Sequence, residues 1–228
     1  MKNLFTALMV LTITSLAVGQ TAGGSFMIGS PQGEFRNYVD QLGYGIQIHG
    51  TLWTPSKERP FTIGLNLGYM VYGSMKDNRP FSETIPEVGV EVTRTNSLAN
   101  FHFLFQVSPF MGDVRPYIEG LFGGAYIFTE TKIESEYSNE EIASSTNYDD
   151  FSWSYGAGGG LLIKVAQDLG DVSKLFLDLK VRYIYGTEAE YLTEKDIVIN
   201  PADRKVYYFP KKSKTDLLTF HIGVVAYF

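Results

Sequence analysis

The sequence predicts an all-β fold, an eight-stranded antiparallel up-and-down transmembrane β-barrel with short periplasmic turns and four long extracellular loops. Three observations carry that prediction: apolar residues recur at every second position from residue 22 onward, connections alternate between short and long, and the chain begins with an export segment. A strand points successive side chains to opposite faces, so a period of two marks strands where a helix would show a period near 3.6. Eight strands of the length that crosses a bilayer use roughly 70 to 90 residues. The 228-residue chain therefore closes one barrel and keeps sequence for loops.

Residues 1–19 carry one lysine, Lys2, then an uncharged apolar run from Leu4 to Val18, with small Ala17 and Gly19 at its end. This is the order of a secretory signal, and the run is short for a spanning helix. Residues 1–19 are expected to be removed and residues 20–228 to form the barrel domain.

The first strand is the weakest, with Phe26 and Ile28 in residues 25–29. Residues 44–53 place Tyr44, Ile46, Ile48 and Leu52 opposite Gln47, His49 and Thr51. Residues 61–72 set Phe61, Ile63, Leu65, Leu67, Tyr69 and Val71 against Thr62, Gly64, Asn66, Gly68 and Met70. The fourth strand, ending at Val107, alternates Phe101, Phe103 and Phe105 with Asn100, His102 and Gln106. Residues 117–128 place Ile118, Phe122, Tyr126 and Phe128 opposite Glu119, Gly123 and Ala125. In residues 151–165, Phe151, Trp153, Tyr155, Leu161, Ile163 and Val165 oppose Ser152, Ser154, Gly156, Gly158, Gly160 and Lys164. Residues 175–186 are the cleanest, with six apolar positions from Leu175 to Tyr185 opposite Asp178, Lys180, Arg182 and Gly186. The last strand alternates Leu218, Phe220, Ile222, Val224, Ala226 and Phe228 with Thr219, His221, Gly223 and Tyr227.

Connections at 54–59, 111–115 and 167–174 are tight and polar, whereas 31–42, 74–89, 134–150 and 187–215 are long. Short turns on one rim and long loops on the other match an outer-membrane barrel. A soluble barrel would show the same alternation with its faces exchanged. The glycine-rich face decides between them. Gly156, Gly158 and Gly160 share a face with serines, and the turn at Gly170 sets them opposite Arg182, Lys180 and Asp178. Small residues opposite long charged ones fit the inside of a narrow bore, and strand glycine is costly elsewhere. Tyr69, Tyr126, Phe128, Trp153, Tyr155, Tyr183 and Tyr185 gather near the long loops. That is the distribution of an interfacial aromatic girdle.

Composition excludes several classes. The absence of cysteine rules out disulfides, thiolate metal sites and a cysteine nucleophile. A formal charge of -6, and a pI near 5.1, argue against nucleic acid as a partner. No cofactor is expected. The glycines from Gly156 to Gly160 precede no helix and so form no phosphate loop.

The whole length after the signal resembles the small eight-stranded outer-membrane barrels of the OmpA transmembrane-domain and OmpX kind, in the broad outer-membrane β-barrel family common in Bacteroidetes-like bacteria. The likeness rests on the signal, the strand and loop rhythm, and the final Tyr227 and Phe228. It implies an integral protein of a Gram-negative outer membrane that contacts lipid and lipopolysaccharide. It also implies recognition of the last strand, ending at Phe228, by the outer-membrane assembly machinery. The chain ends at that strand, so the peptidoglycan-binding domain of full-length OmpA is not carried over.

Glu119, Lys164, Asp178, Lys180 and Arg182 are the charges expected in the bore, as a structural polar network. His49, His102 and His221 all fall on polar strand faces and are expected as hydrogen-bonded interior side chains. The acidic loop with Glu134, Glu136, Glu140, Glu141, Asp149 and Asp150 lacks the spacing of a calcium site and is expected to be solvated. Two apolar stretches flank Asn200 and Pro201 and predict a projecting hairpin, with Tyr207, Tyr208 and Phe209 as the candidate docking surface for a protein partner. Phe35, Val39 and Leu42 are placed to form one amphipathic turn ended by Gly43. The expected role is non-enzymatic and structural or interactive; the alternatives are a narrow solute or ion channel and a lipid-modifying enzyme.

Overall fold

The structure is a computed structural model that describes residues 20–82, 85–135, 141–193, 196–200 and 205–228. Residues 1–19, read as the export segment, lie outside these, as do Glu136, Glu140 and residues 201–204. In chain order the elements are β1 (Thr21–Pro31), the short helix α1 (Gly33–Arg36), β2 (Gly43–Thr51), β3 (Phe61–Ser82), β4 (Ile85–Val107), β5 (Val114–Ser135), β6 (Glu141–Leu169) and β7 (Val172–Gly186). They continue with β8 (Glu188–Tyr191), β9 (Ile197–Asn200), β10 (Lys205–Tyr208), β11 (Lys211–Lys214) and β12 (Leu217–Tyr227).

Eight of the strands, β1 to β7 and β12, form a closed antiparallel barrel in which each neighbours the next and β12 returns to β1. Closure leaves no stave with an unpaired edge. Thr21 faces Tyr227 in the closing ladder, and the Phe228 amide donates to the Gln20 carbonyl at 3.0 Å. A two-residue turn between Leu169 and Val172, entered by Gly170 at φ 63°, joins β6 to β7. Glycine tolerates that left-handed conformation, and the turn pins the register that follows. Gly158 then faces Arg182 and Gly160 faces Lys180, but Gly156 faces Ile184 and Asp178 faces Leu162, so the ladder is displaced by two residues from the expected facing of Gly156, Gly158 and Gly160 with Arg182, Lys180 and Asp178.

Alternation in the sequence becomes a sharp difference between two faces. Outward, Phe26 is 72% exposed and Ile118 66%, in company with Ile46, Phe103, Phe122, Leu179 and Ile222. Inward, Asp178 is 1% exposed and Arg182 3%, with Gln47, Asn66, His102 and Ser154 buried beside them. The polar residues are inside and the hydrocarbon is outside, the reverse of a water-soluble barrel. Aromatic pairs mark both rims of the apolar wall. At the long-hairpin end Tyr155 stacks on Tyr185 with centroids 5.6 Å apart, and Tyr126 on Phe128 at 5.3 Å. At the short-turn end Phe61 stacks on Phe105 at 6.2 Å, and the Arg59 guanidinium lies 4.5 Å over the Trp53 ring.

The long connections differ from the expected loops. β3 and β4 stay paired out to Ser82 and Ile85, and β5 and β6 out to Glu134 and Glu141, so both stretches are ladder rather than coil for most of their length. The segment between β7 and β12 contains two nested hairpins: β8 pairs with β11, and β9 with β10. Ile197 faces Tyr208 in the inner pair, which realises the hairpin expected around the Asn-Pro turn. The amphipathic turn is also present as α1 and its exit. Phe35 and Val39 are buried, but Leu42 is 49% exposed because the chain has already straightened toward β2.

Candidate functional site

Side chains fill most of the bore, leaving cavities of about 30 and 10 Å³. At the long-hairpin end Phe35 meets Tyr72 and Tyr191 edge to face, with centroids at 5.6 and 5.0 Å. Met27, Met70, Leu98, Ile127 and Ile184 continue this apolar cluster inward. The middle is ionic. Arg182 Nε donates to Glu119 Oε1 at 2.5 Å and Nη2 donates to Oε2 at 3.1 Å, while Nη1 donates to Gln47 Oε1 at 2.5 Å and to Asn66 Oδ1 at 2.9 Å. Beside it Lys180 Nζ lies 2.9 Å from Asp178 Oδ2, and the Tyr117 hydroxyl donates to Asp178 Oδ1 at 2.6 Å. At the short-turn end the Arg115 guanidinium lies 4.7 Å over Phe176 and 5.4 Å over Tyr227.

Glycine makes room for this filling. A Cβ at Gly158 would sit 2.7 Å from Arg182 Cγ, and one at Gly160 would sit 2.6 Å from the Tyr117 hydroxyl. Glu119, Asp178, Lys180 and Arg182 therefore come together, as two ion pairs held by neighbouring polar side chains. Lys164 does not join them. It reaches past the end of the wall to Asp113 at 2.7 Å, where a register shift between Lys164 and Ala166 bends β6 at the short-turn rim. Asp113 is held below its ordinary pKa by that lysine. Parity assigned Lys164 correctly to the inner face but says nothing about height along the axis, and a long lysine at a rim goes to the nearest turn carboxylate.

The histidines are interior but incompletely paired. His102 Nε2 lies 2.7 Å from Ser154 Oγ, and His221 Nε2 lies 2.9 Å from Thr219 Oγ1. His49 Nδ1 and His102 Nδ1 are buried with no partner. Gln47, Asn66 and Tyr117 are network members that sequence reasoning did not single out. Gln47 and Asn66 were visible as polar residues on inward faces, but their convergence on one guanidinium arises only on closure of the ring.

At the hairpin end the acidic residues are used in pairing. Lys132 lies 2.5 Å from Glu134 and 3.5 Å from Glu141, and Asp150 Oδ2 accepts the Glu190 amide at 2.7 Å. Tyr148 donates to Glu190, and this hydrogen bond, more than burial, pushes the phenol up to about 12. Among the described residues no set of carboxylates and imidazoles is arranged to hold a metal ion. Tyr207, Tyr208 and Phe209 lie exposed on the outer hairpin, with Asn147 Nδ2 donating to the Tyr208 hydroxyl at 3.1 Å.

The same end contains a cleft of about 340 Å³. It lies between the α1–β2 connection, β3 and β4 near Tyr72 and Asn96, and the base of the outer hairpin at Thr193, Asp196 and Lys211. Sequence reasoning missed it because five separate stretches of chain supply its walls.

No family model matches the sequence, and no curated protein matches it. Among solved structures, Neisserial surface protein A is similar over 92% of this chain and 97% of its own, at 11% identity and a TM-score of 0.44. The outer membrane protein OprG from Pseudomonas aeruginosa is similar over 93% and 97% at 15% identity and a TM-score of 0.40. Ail, the attachment invasion locus protein of Yersinia pestis, is similar over 92% and 99% at 12% identity and a TM-score of 0.37.

Proposed function

We propose that this protein is a non-enzymatic integral barrel of a Gram-negative outer membrane, with a closed bore and with its binding function in the hairpins at one end. The observation that carries the reading is the inverted barrel: an outward wall of Phe, Ile, Leu and Val around a buried ionic interior. An apolar surface encircling a barrel needs hydrocarbon to cover it. No described helix is long and apolar enough to cross a membrane. Each stave contributes the nine to eleven residues a tilted strand needs to span, as in the run from Leu175 to Tyr185.

In this reading the short-turn end faces the periplasm, and the hairpins of β3–β4, β5–β6 and β9–β10 stand outside the cell. Lipid and lipopolysaccharide cover the wall, and Tyr207, Tyr208 and Phe209 offer a protein partner aromatic side chains of the kind enriched in binding hot spots. A filled bore supports an anchoring role over conduction. Planar-bilayer recording of the refolded protein tests this directly. The expected trace has no stable large conductance; a sustained open pore would transfer the function to transport.

A further inference from the structure

We propose that the cleft at the hairpin end is a binding site for a neutral, hydroxyl-rich ligand the size of one sugar ring. This goes beyond the anchoring role, and it stands or falls separately from it.

The site begins with a fault in the β3–β4 ladder. Val71 pairs with Ser97 and Gly73 with Asn96, so Tyr72 is an extra residue with no partner across the ladder. A bulge of this kind redirects side chains and recurs beside binding sites. Here the Tyr72 ring turns into the barrel mouth, 2% exposed, and packs on Phe35 and Tyr191. Its hydroxyl is buried with no hydrogen-bond partner. Burying an unpaired hydroxyl is unfavourable, so such a group in a cleft wall signals an occupant or a bound water that completes it. The bulge also brings Gly73 opposite Asn96. A Cβ there would stand 3.0 Å from Asn96 Nδ2, and its absence keeps the cleft open.

Charge and size select the ligand class. Lys211 is the cation of the cleft among the described residues, and it is already neutralised by Asp196 at 3.1 Å. Asp196 is itself saturated, because its Oδ2 also accepts the Thr193 amide at 2.9 Å and the Thr193 hydroxyl at 2.7 Å. With Asp40 on the opposite lip, the lining offers no spare positive charge for a phosphate, sulfate or carboxylate among the described residues. It does offer the Asn37 amide, which both donates and accepts, and the Asn96 Nδ2 donor, the Asn96 Oδ1 already accepting the Thr129 hydroxyl at 2.8 Å. The ring of Tyr38, at the mouth, is 47% exposed. Sugars present hydroxyls that donate and accept, together with an apolar C–H face that packs on an aromatic ring. A volume of 340 Å³ corresponds to roughly ten water molecules at about 30 Å³ each. That is room for one hexose with its hydroxyls and a few bound waters.

The test uses the full mature chain in lipid nanodiscs, free of detergents with sugar headgroups. Saturation-transfer NMR is run with glucose, galactose, mannose and N-acetylglucosamine, and with inorganic phosphate and acetate as charged controls. At least one sugar should bind saturably, and neither anion should. Tyr72→Phe removes only the hydroxyl and should weaken binding at least tenfold while leaving thermal stability equal or higher. Asn96→Ala should weaken it similarly, with electrophoretic heat-modifiability confirming a folded barrel. Repeating the titration in nanodiscs that carry a glycolipid distinguishes the source: loss of the free-sugar signal there identifies a lipid-borne glycan, and its persistence a soluble one. Binding of no sugar, binding unchanged in both variants, or preferential phosphate binding would overturn the proposal. None of these outcomes alters the conductance experiment, so the two readings fail separately.

Discussion

Arg182 and Glu119 meet across the bore through two parallel N–H···O bonds, of 2.5 and 3.1 Å, with both side chains almost fully buried. Removing one partner leaves the other charge uncompensated in a closed interior. Glu119→Ala should therefore destabilise the barrel by about 3–5 kcal/mol. The double variant Glu119→Leu with Arg182→Met should lose less than Glu119→Ala alone, because it removes both charges. Denaturant unfolding of the refolded protein in detergent measures both. A double variant that is the less stable of the two would mean that the polar contacts of Arg182 to Gln47 and Asn66 outweigh the ion pair.

Leu179 and Ile222 are paired neighbours on the outer wall, and Lys180 and His221 are their inward-facing successor and predecessor, also paired. Arginine at position 179 should cost about 2–4 kcal/mol if the site lies near mid-membrane. Spin labels at 179 and 222 should be quenched by apolar oxygen and shielded from polar reagents. Reversed accessibility would place water, not lipid, around the barrel.

The outer hairpin is joined lightly to the rest of the molecule. Its described links include the Asn147–Tyr208 hydrogen bond and the Phe209 amide to the Asp196 carbonyl at 2.9 Å. Replacing residues 197–209 by a tight turn should change barrel stability by no more than about 1–2 kcal/mol, the worth of one or two such bonds. On intact cells, chymotrypsin should cut at the exposed Tyr207, Tyr208 and Phe209 and leave the barrel in place. Resistance on intact cells combined with cleavage after lysis would point that end inward.

Tyr148 and Glu190 form a titratable clasp between β6 and β8. The folded pKa of Tyr148, about 12, lies above the usual value of 10, so its contribution is fully present below pH 10 and is lost as pH rises through 12. Between those values the wild type should loosen at the β8–β11 ladder, seen as faster proteolysis there, while Tyr148→Phe, which lacks the clasp at every pH, should show no such step. Equal pH profiles for the two proteins would assign no role to the clasp.

The eight staves and their facing were legible in the sequence because two different environments, hydrocarbon and bore, imposed opposite demands on alternate residues. Beyond the wall that contrast disappears. Residues 74–78 and 141–146 are largely exposed on both faces, so these strands show no period of two and read as loops although the ladders continue. Proximity across the bore was equally hidden. Glu119 and Arg182 were marked as inward charges, but their union with Gln47 and Asn66 depends on ring closure, and the cleft depends on a one-residue bulge at Tyr72 that leaves no local signature. Lys164 shows the remaining gap, since parity fixes a face and not a depth.

Arg182 also has a mechanical role that follows from the order of the ring. β7, which carries it, lies four places from β3 in either direction, so its hydrogen bond to Asn66 spans the full diameter, and the bonds to Gln47 on β2 and Glu119 on β5 fan out to either side. One side chain thus works as a spoke between opposite walls. A bilayer squeezes an embedded cylinder laterally, and a hoop of hydrogen-bonded strands resists that squeeze poorly because each joint can hinge. With a spoke in place, flattening the circle requires compressing or breaking the guanidinium contacts, so the cross-section is held by its centre rather than by its rim.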